Sequence, residues 1–219
     1  MKHLIISAFV LATTMHMQAQ IVKELRVNTA GIIHTVKIND VAAVCFLAGS
    51  TYKVEIETEK ANQPNVTVTE TNHQLTIDAI HKQNSKRCIA YITIPNKPVT
   101  IIARNVASCY TSPNSILELD NLQFDARSVA SIKMNLISNV FNCTFNAVAY
   151  AEMTGSANRC KFDFTSTTDI KMGKFKIKDL DLTAHSGISM SLYVSRQLKS
   201  DVNNVMHFDL AGHPLIVKE

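Results

Sequence analysis

The chain has 219 residues and carries 22 Lys and Arg against 18 Asp and Glu, a net charge of +4. So small and dispersed a charge excludes the dense basic footprint of a nucleic-acid binder. Beyond Gln20 no stretch approaches the continuous apolar run of a membrane-spanning helix, so no later segment reads as one.

The chain opens MKHLIISAFVLATTMHMQAQ. Lys2 gives a positive start, Leu4 to Ala12 is a short apolar run, and Met17-Gln18-Ala19 resembles a small-residue cleavage site. That order is a secretory signal peptide over residues 1–20, and the mature chain is expected to be exported, to the periplasm or the cell surface. Removing Lys2 lowers the net charge from +4 to +3. The cysteines are Cys45, Cys88, Cys109, Cys143 and Cys160, with no CxxC pair. Export permits disulfides, but the odd count leaves a thiol over, and buried free thiols packing as small hydrophobes are the favoured reading.

Residues 21–98 read as a β-rich region of irregular spacing. TVKIND, AVCFLAG, YKVEIETE, NVTVTET, QLTIDAI and CIAYITIP are short alternating or apolar runs. HKQNSKR, His81 to Arg87, reads as a solvated loop.

Residues 99–219 carry a repeat. Leu122-x-Phe124-x-Ala126 is followed, at a fixed interval, by Ile132-x-Met134. Phe141-x-Cys143-x-Phe145 leads to Ala151-x-Met153, Cys160-x-Phe162-x-Phe164 to Ile170-x-Met172, and Leu180-x-Leu182-x-Ala184 to Met190-x-Leu192. Equivalent positions fall at Ala126, Phe145, Phe164 and Ala184, so the interval between units is nearly constant. Each is a period-two strand, a corner and a second period-two strand, and no single unit can bury its apolar face. Stacked copies can, so the prediction is an all-β fold with a β-solenoid of about 19–20 residues per coil. The pauses RSVAS, NAVAY, TSTTD and HSGIS are then corners. None contains the Asn-Gly or Asp-Gly pair that an ordinary hairpin favours. Residues 21–219 are expected to form one continuous domain.

In order along the chain, VCFLAGSTYKVEIETE, QLTIDA, AYITIP, the repeats and VMHFDLAGHP resemble the putative auto-transporter adhesin family with a head GIN domain, common in Bacteroidetes. The resemblance runs from Val36 to Pro214, with Gly49 at a turn, Pro95 ending a strand, and Gly212 and Pro214 closing the pattern. It implies a right-handed β-helix and adhesion, with no catalytic residues and no cofactor. Family corners are richer in glycine, whereas here only Gly187 lies at a repeat corner. Corners that need positive φ are therefore expected to use Asn203 or Asn204, or to adopt another geometry.

The leading functional expectation is a non-catalytic binding or adhesion module of the cell envelope, its outward sheet faces meeting a glycan or a protein. Tyr91, Tyr110, Tyr150 and Tyr193 are candidate sugar-stacking residues, with Tyr150 and Tyr193 favoured. Lys161, Asp163, Asp169 and Lys171 point outward around one corner and form a candidate ligand cluster. The competing class is a carbohydrate-active enzyme using Asp163 and Asp169 as paired carboxylates. A third is an envelope scaffold whose open solenoid end pairs with another copy, since an uncapped end is a template for strand addition. Histidines are scattered without an HExxH pattern, so no metal site is expected.

Overall fold

The computed structural model describes residues 20–79 and 88–217. The expected signal peptide, save for Gln20, and the expected HKQNSKR loop therefore lie outside the described residues. Among the described residues twelve strands follow one another with one short 3-10 turn, Lys60–Asn65, among them. They are β1 (Ile21–Thr29), β2 (Thr35–Asn39), β3 (Ala43–Gly49), β4 (Tyr52–Glu59), β5 (Val66–Thr71), β6 (Gln74–Ala79), β7 (Cys88–Pro95), β8 (Val99–Arg104), β9 (Ser108–Thr111), β10 (Leu117–Thr165), β11 (Asp169–Ala211) and β12 (Leu215–Val217). The protein is all-β, as expected.

The described strands join into one twelve-stranded sheet. It wraps as a nearly closed, barrel-like wall around a continuous core running from Ile33 to Leu198. Parallel pairing dominates: β10 lies parallel to β8, β9 and β11, β2 to β6 and β8, and β3 to β7 and β9. β1–β4, β4–β7 and β5–β6 are antiparallel. Between β10 and β11 the register reproduces the sequence repeat. Ala151 faces Ile170, and Cys160, Phe162 and Phe164 face Leu180, Leu182 and Ala184, each its equivalent in the next unit.

The alternating residues explain the core. Leu122, Phe124, Ala126, Ile132, Phe141, Phe145, Ala151, Phe162, Phe164, Ile170 and Leu182 are all fully buried. Aromatic rings meet across successive units: Phe124 and Phe145 edge to face at 5.7 Å, Phe145 and Phe164 stacked at 5.4 Å, Phe141 and Phe162 at 5.4 Å. All five cysteines are free and buried. Cys88, Cys109, Cys143 and Cys160 belong to the core, whereas Cys45 does not.

The corners differ from expectation in an informative way. Positive φ occurs at Asn105, Ser128, Ala147, Ser166, Ser186 and Asn204, close to once per unit. Asn204 agrees with the expectation; Ser and Ala in the left-handed region depart from it. At four of these corners the next residue drops into the core: Val106, Val129, Val148 and Thr167. Asp40 and Val41 form the same corner in the N-terminal region, where Asn105 donates a side-chain hydrogen bond to Asp40 at 3.1 Å. The ladders on either side impose the conformation, so the glycine-poor corners keep a left-handed turn at a local cost.

That cost gives a prediction. A left-handed non-Gly residue costs about 1–2 kcal/mol, and glycine returns only part of it, since about 0.5–1 kcal/mol is lost to its unfolded-state freedom. Ala147 is exposed at φ 53°. Ala147→Gly is expected to raise stability by about 0.5–1 kcal/mol, read as a higher midpoint in chemical denaturation.

Candidate functional site

Residues that alternate with the core point outward, and the register lines them up across strands. On one face Glu55 of β4 sits beside Tyr91 of β7, Tyr91 beside Cys45 of β3, and Cys45 beside Tyr110 of β9. Tyr110 then faces Lys133 of β10. Lys133 reaches Glu152 of the next unit at 4.0 Å, and Glu152 faces Lys171 of β11. Tyr150 lies one pleat to the side, facing Asp169. Ser189 donates its backbone N–H to Thr168 O at 3.0 Å, which carries the face on into residues 189–193 and to Tyr193.

The groups on this face are held against one another. Tyr91 donates its hydroxyl to Glu57 at 2.9 Å, and the Lys23 ammonium sits 3.8 Å from its ring centre. Tyr150 donates to Glu152 at 2.8 Å, with Lys133 and Lys171 at 5.5 and 5.3 Å from its ring centre. Cys45, under Tyr110 and hydrogen-bonded to it, has its thiol pKa raised by burial. Cations and anions alternate and pair: Lys23 with Glu55 at 3.6 Å, Lys171 with Asp169 at 3.3 Å. Such exposed pairs add little stability; they fix geometry and leave no net charge excess. Two shallow depressions flank Glu152. One, of about 270 Å³, is bordered by Thr111, Lys133 and Thr154, the other, of about 330 Å³, by Lys171, Lys174 and Ser191.

Of the residues singled out in the sequence, Tyr150, Asp169 and Lys171 meet here. Tyr193 is half-buried at the end of the face, where Gly212 of the last turn packs close to its ring. Lys161 and Asp163 lie on the preceding face, before the Ser166 corner, facing Asp181 and Thr183. The corner thus turns Asp163 and Asp169 out from two different faces. Lys133 and Glu152 escape a reading by motif, although Lys133, Glu152 and Lys171 follow one another at the interval of the repeat itself. Among the described residues no group of three or more His, Cys, Asp or Glu side chains is placed to hold a metal ion. No helix among them is long and apolar enough to cross a membrane.

The hydrogen bond to Glu152, then partial burial, then the negative charges of Glu152 and Asp169 push the Tyr150 phenol up to about 12. Burial, followed by Glu57, pushes Tyr91 to about 12 as well. A raised phenol holds its proton more tightly in the folded state, so its contribution to stability is complete below pH 10 and fades as pH rises towards 12. In a spectrophotometric titration Glu152→Gln is expected to bring one phenol back towards 10 and leave Tyr91 where it is.

The family model described as putative auto-transporter adhesin, head GIN domain, matches residues 34–214. The chain belongs to this family. No curated protein matches the chain. Among solved structures, a putative adhesin from Bacteroides fragilis is 11% identical, with a TM-score of 0.71 over 92% of this chain and 98% of that one. A putative adhesin from Parabacteroides merdae is 15% identical, with a TM-score of 0.56 over 91% and 93%. A putative lipid binding protein from Parabacteroides distasonis is 11% identical, with a TM-score of 0.50 over 90% and 92%. At these identities what is shared is the fold.

Proposed function

We propose that this head GIN domain protein is an exported, non-catalytic binding or adhesion module of the cell envelope, presenting outward sheet faces to a glycan or a protein. The observation that carries the reading is the register of β10 on β11, which repeats the outward residues from unit to unit and so builds long, ordered faces. The family's description as an adhesin favours the same class. The parallel part, 99–219, winds as right-handed coils of about 19–20 residues each. In this reading the region 21–98 continues the same domain, which the β2–β8 and β3–β9 ladders support.

The test is to incubate the purified protein with envelope polysaccharides and proteins and to follow both retention and integrity of the ligand. A binding module retains its ligand unchanged. Release of new reducing ends, lost on Asp163→Asn or Asp169→Asn, would overturn the reading in favour of a carbohydrate-active enzyme.

A second reading, a scaffold assembling through its C-terminal end, is favoured by the exposed Met206, Leu215 and Ile216 there. Concentration-dependent oligomers in sedimentation would support it, and a strictly monomeric profile at high concentration would count against it.

A further inference from the structure

Tyrosine placement on the outward face is regular. The chain has five tyrosines and no tryptophan. Tyr52 is buried, and the other four all stand on this one face. In strand order they occupy every second position: Tyr91 on β7, Tyr110 on β9 two strands on, Tyr150 two further, and Tyr193 two further again. With neighbouring strands about 4.8 Å apart, two steps make about 10 Å. Tyr91 and Tyr110 share one row, while Tyr150 is displaced by one pleat to one side of it and Tyr193 by one pleat to the other, so the rings zigzag across the strands.

Resting on the binding-module reading, we propose that this face is a strip for an extended, uncharged polysaccharide, lying across the strands with tyrosines as stacking platforms. An aromatic ring offers a flat apolar surface with a polar edge, which suits the C–H face and the hydroxyl rim of a pyranose. The two-strand step of about 10 Å between Tyr91 and Tyr110 matches roughly one disaccharide of an extended chain, and the displaced Tyr150 and Tyr193 flank the continuation of the same line. The hydroxyl bonds of Tyr91 and Tyr150 to Glu57 and Glu152 order the rings beforehand, which lowers the entropy lost on binding.

Charge selects against a polyanion. Lys23, Lys133 and Lys171 are already paired with Glu55, Glu152 and Asp169, so an acidic polymer would have to compete with carboxylates in place. To neutral hydroxyls the same pairs offer donors and acceptors side by side. The lysines over the rings are exposed, and their flexible stems let a sugar take their place. No deep pocket is needed: several weak subsites on one polymer add through effective concentration, so a polymer binds where a monosaccharide does not.

The experiment is native electrophoresis of the purified protein through gels cast with β-1,4-glucan, β-1,4-mannan, xylan or polygalacturonate. At least one neutral polymer is expected to retard the protein. Tyr110→Ala and Tyr150→Ala each weaken that retardation by about tenfold. Tyr150→Phe, which keeps the ring, retains it, and Lys161→Ala on the preceding face leaves it unchanged. Thermal melts check each variant; should Tyr110→Ala fail to fold, Tyr150→Ala and Tyr193→Ala decide. Retardation untouched by the tyrosine variants would overturn the strip while leaving the binding module standing. Retardation by polygalacturonate alone would overturn the uncharged class. Indifference to every polymer would overturn the polysaccharide proposal, and cleavage of a polymer would overturn the module itself.

Discussion

Gly155→Ala is expected to destabilise the protein by about 4 kcal/mol, lowering the thermal midpoint by about 10 °C. Gly155 has φ +108°, and a Cβ built on it would stand 2.0 Å from Leu136 O in the preceding unit. The obstacle is backbone, held in the parallel ladder, so relief requires two units to separate. Gly187→Ala is the control. It also has positive φ, at +67°, but no atom lies within 4 Å of the added Cβ. Only the left-handed cost remains there, and the alanine's smaller unfolded-state freedom offsets part of it, leaving about 0.5–1 kcal/mol. Calorimetry on both variants tests the stacking of units directly, and equal shifts would contradict it.

Phe145→Ala is expected to cost about 3–5 kcal/mol. The ring is fully buried between Phe124 of the preceding unit and Phe164 of the following one. Because the strands are held at hydrogen-bonding distance, the units cannot close over the cavity, which places the cost towards the upper end. Phe145→Leu retains part of the volume and loses less. Denaturation midpoints of the two variants check the order, and an alanine variant as stable as the leucine one would contradict the packing.

Both predictions arise where the sequence is easiest to read. Between Leu122 and Leu192 the interval between equivalent residues is nearly constant, so Phe124, Phe145 and Phe164 announce themselves as core by alternation alone. β3, β4 and β7 fall on AVCFLAG, YKVEIETE and CIAYITIP because alternation also governs single strands. Their order in the sheet was not legible. Val36 pairs with Ile101, and Cys45 with both Tyr110 and Tyr91, across separations several times the repeat or unrelated to it. The antiparallel strands β4 and β5 break the repeat there, and no fixed interval survives to reveal the pairing. β1 carries no such signal, because its IVKELRVNT pattern is mostly exposed and barely alternates.

The candidate site divides along the same line. Tyr150, Asp169 and Lys171 were readable because all three lie in the repeat. The alignment of Tyr91 and Tyr110 with them depends on the long-interval pairings and emerges only in the fold. Lys161 and Asp163 read as one cluster with Asp169 and Lys171 because they are close in sequence, yet a positive-φ corner at Ser166 separates their faces. The glycine shortage at the corners points to asparagine, and Asn204 complies; at Ser128, Ala147, Ser166 and Ser186 the flanking ladders hold the left-handed turn without it.

The most direct test of the central claim, an exported module displayed for binding, is protease shaving of intact cells followed by mass spectrometry. The account predicts that peptides of this chain are released without lysis while a periplasmic control stays intact. Complete protection of this chain, alongside the protected control, would contradict surface adhesion.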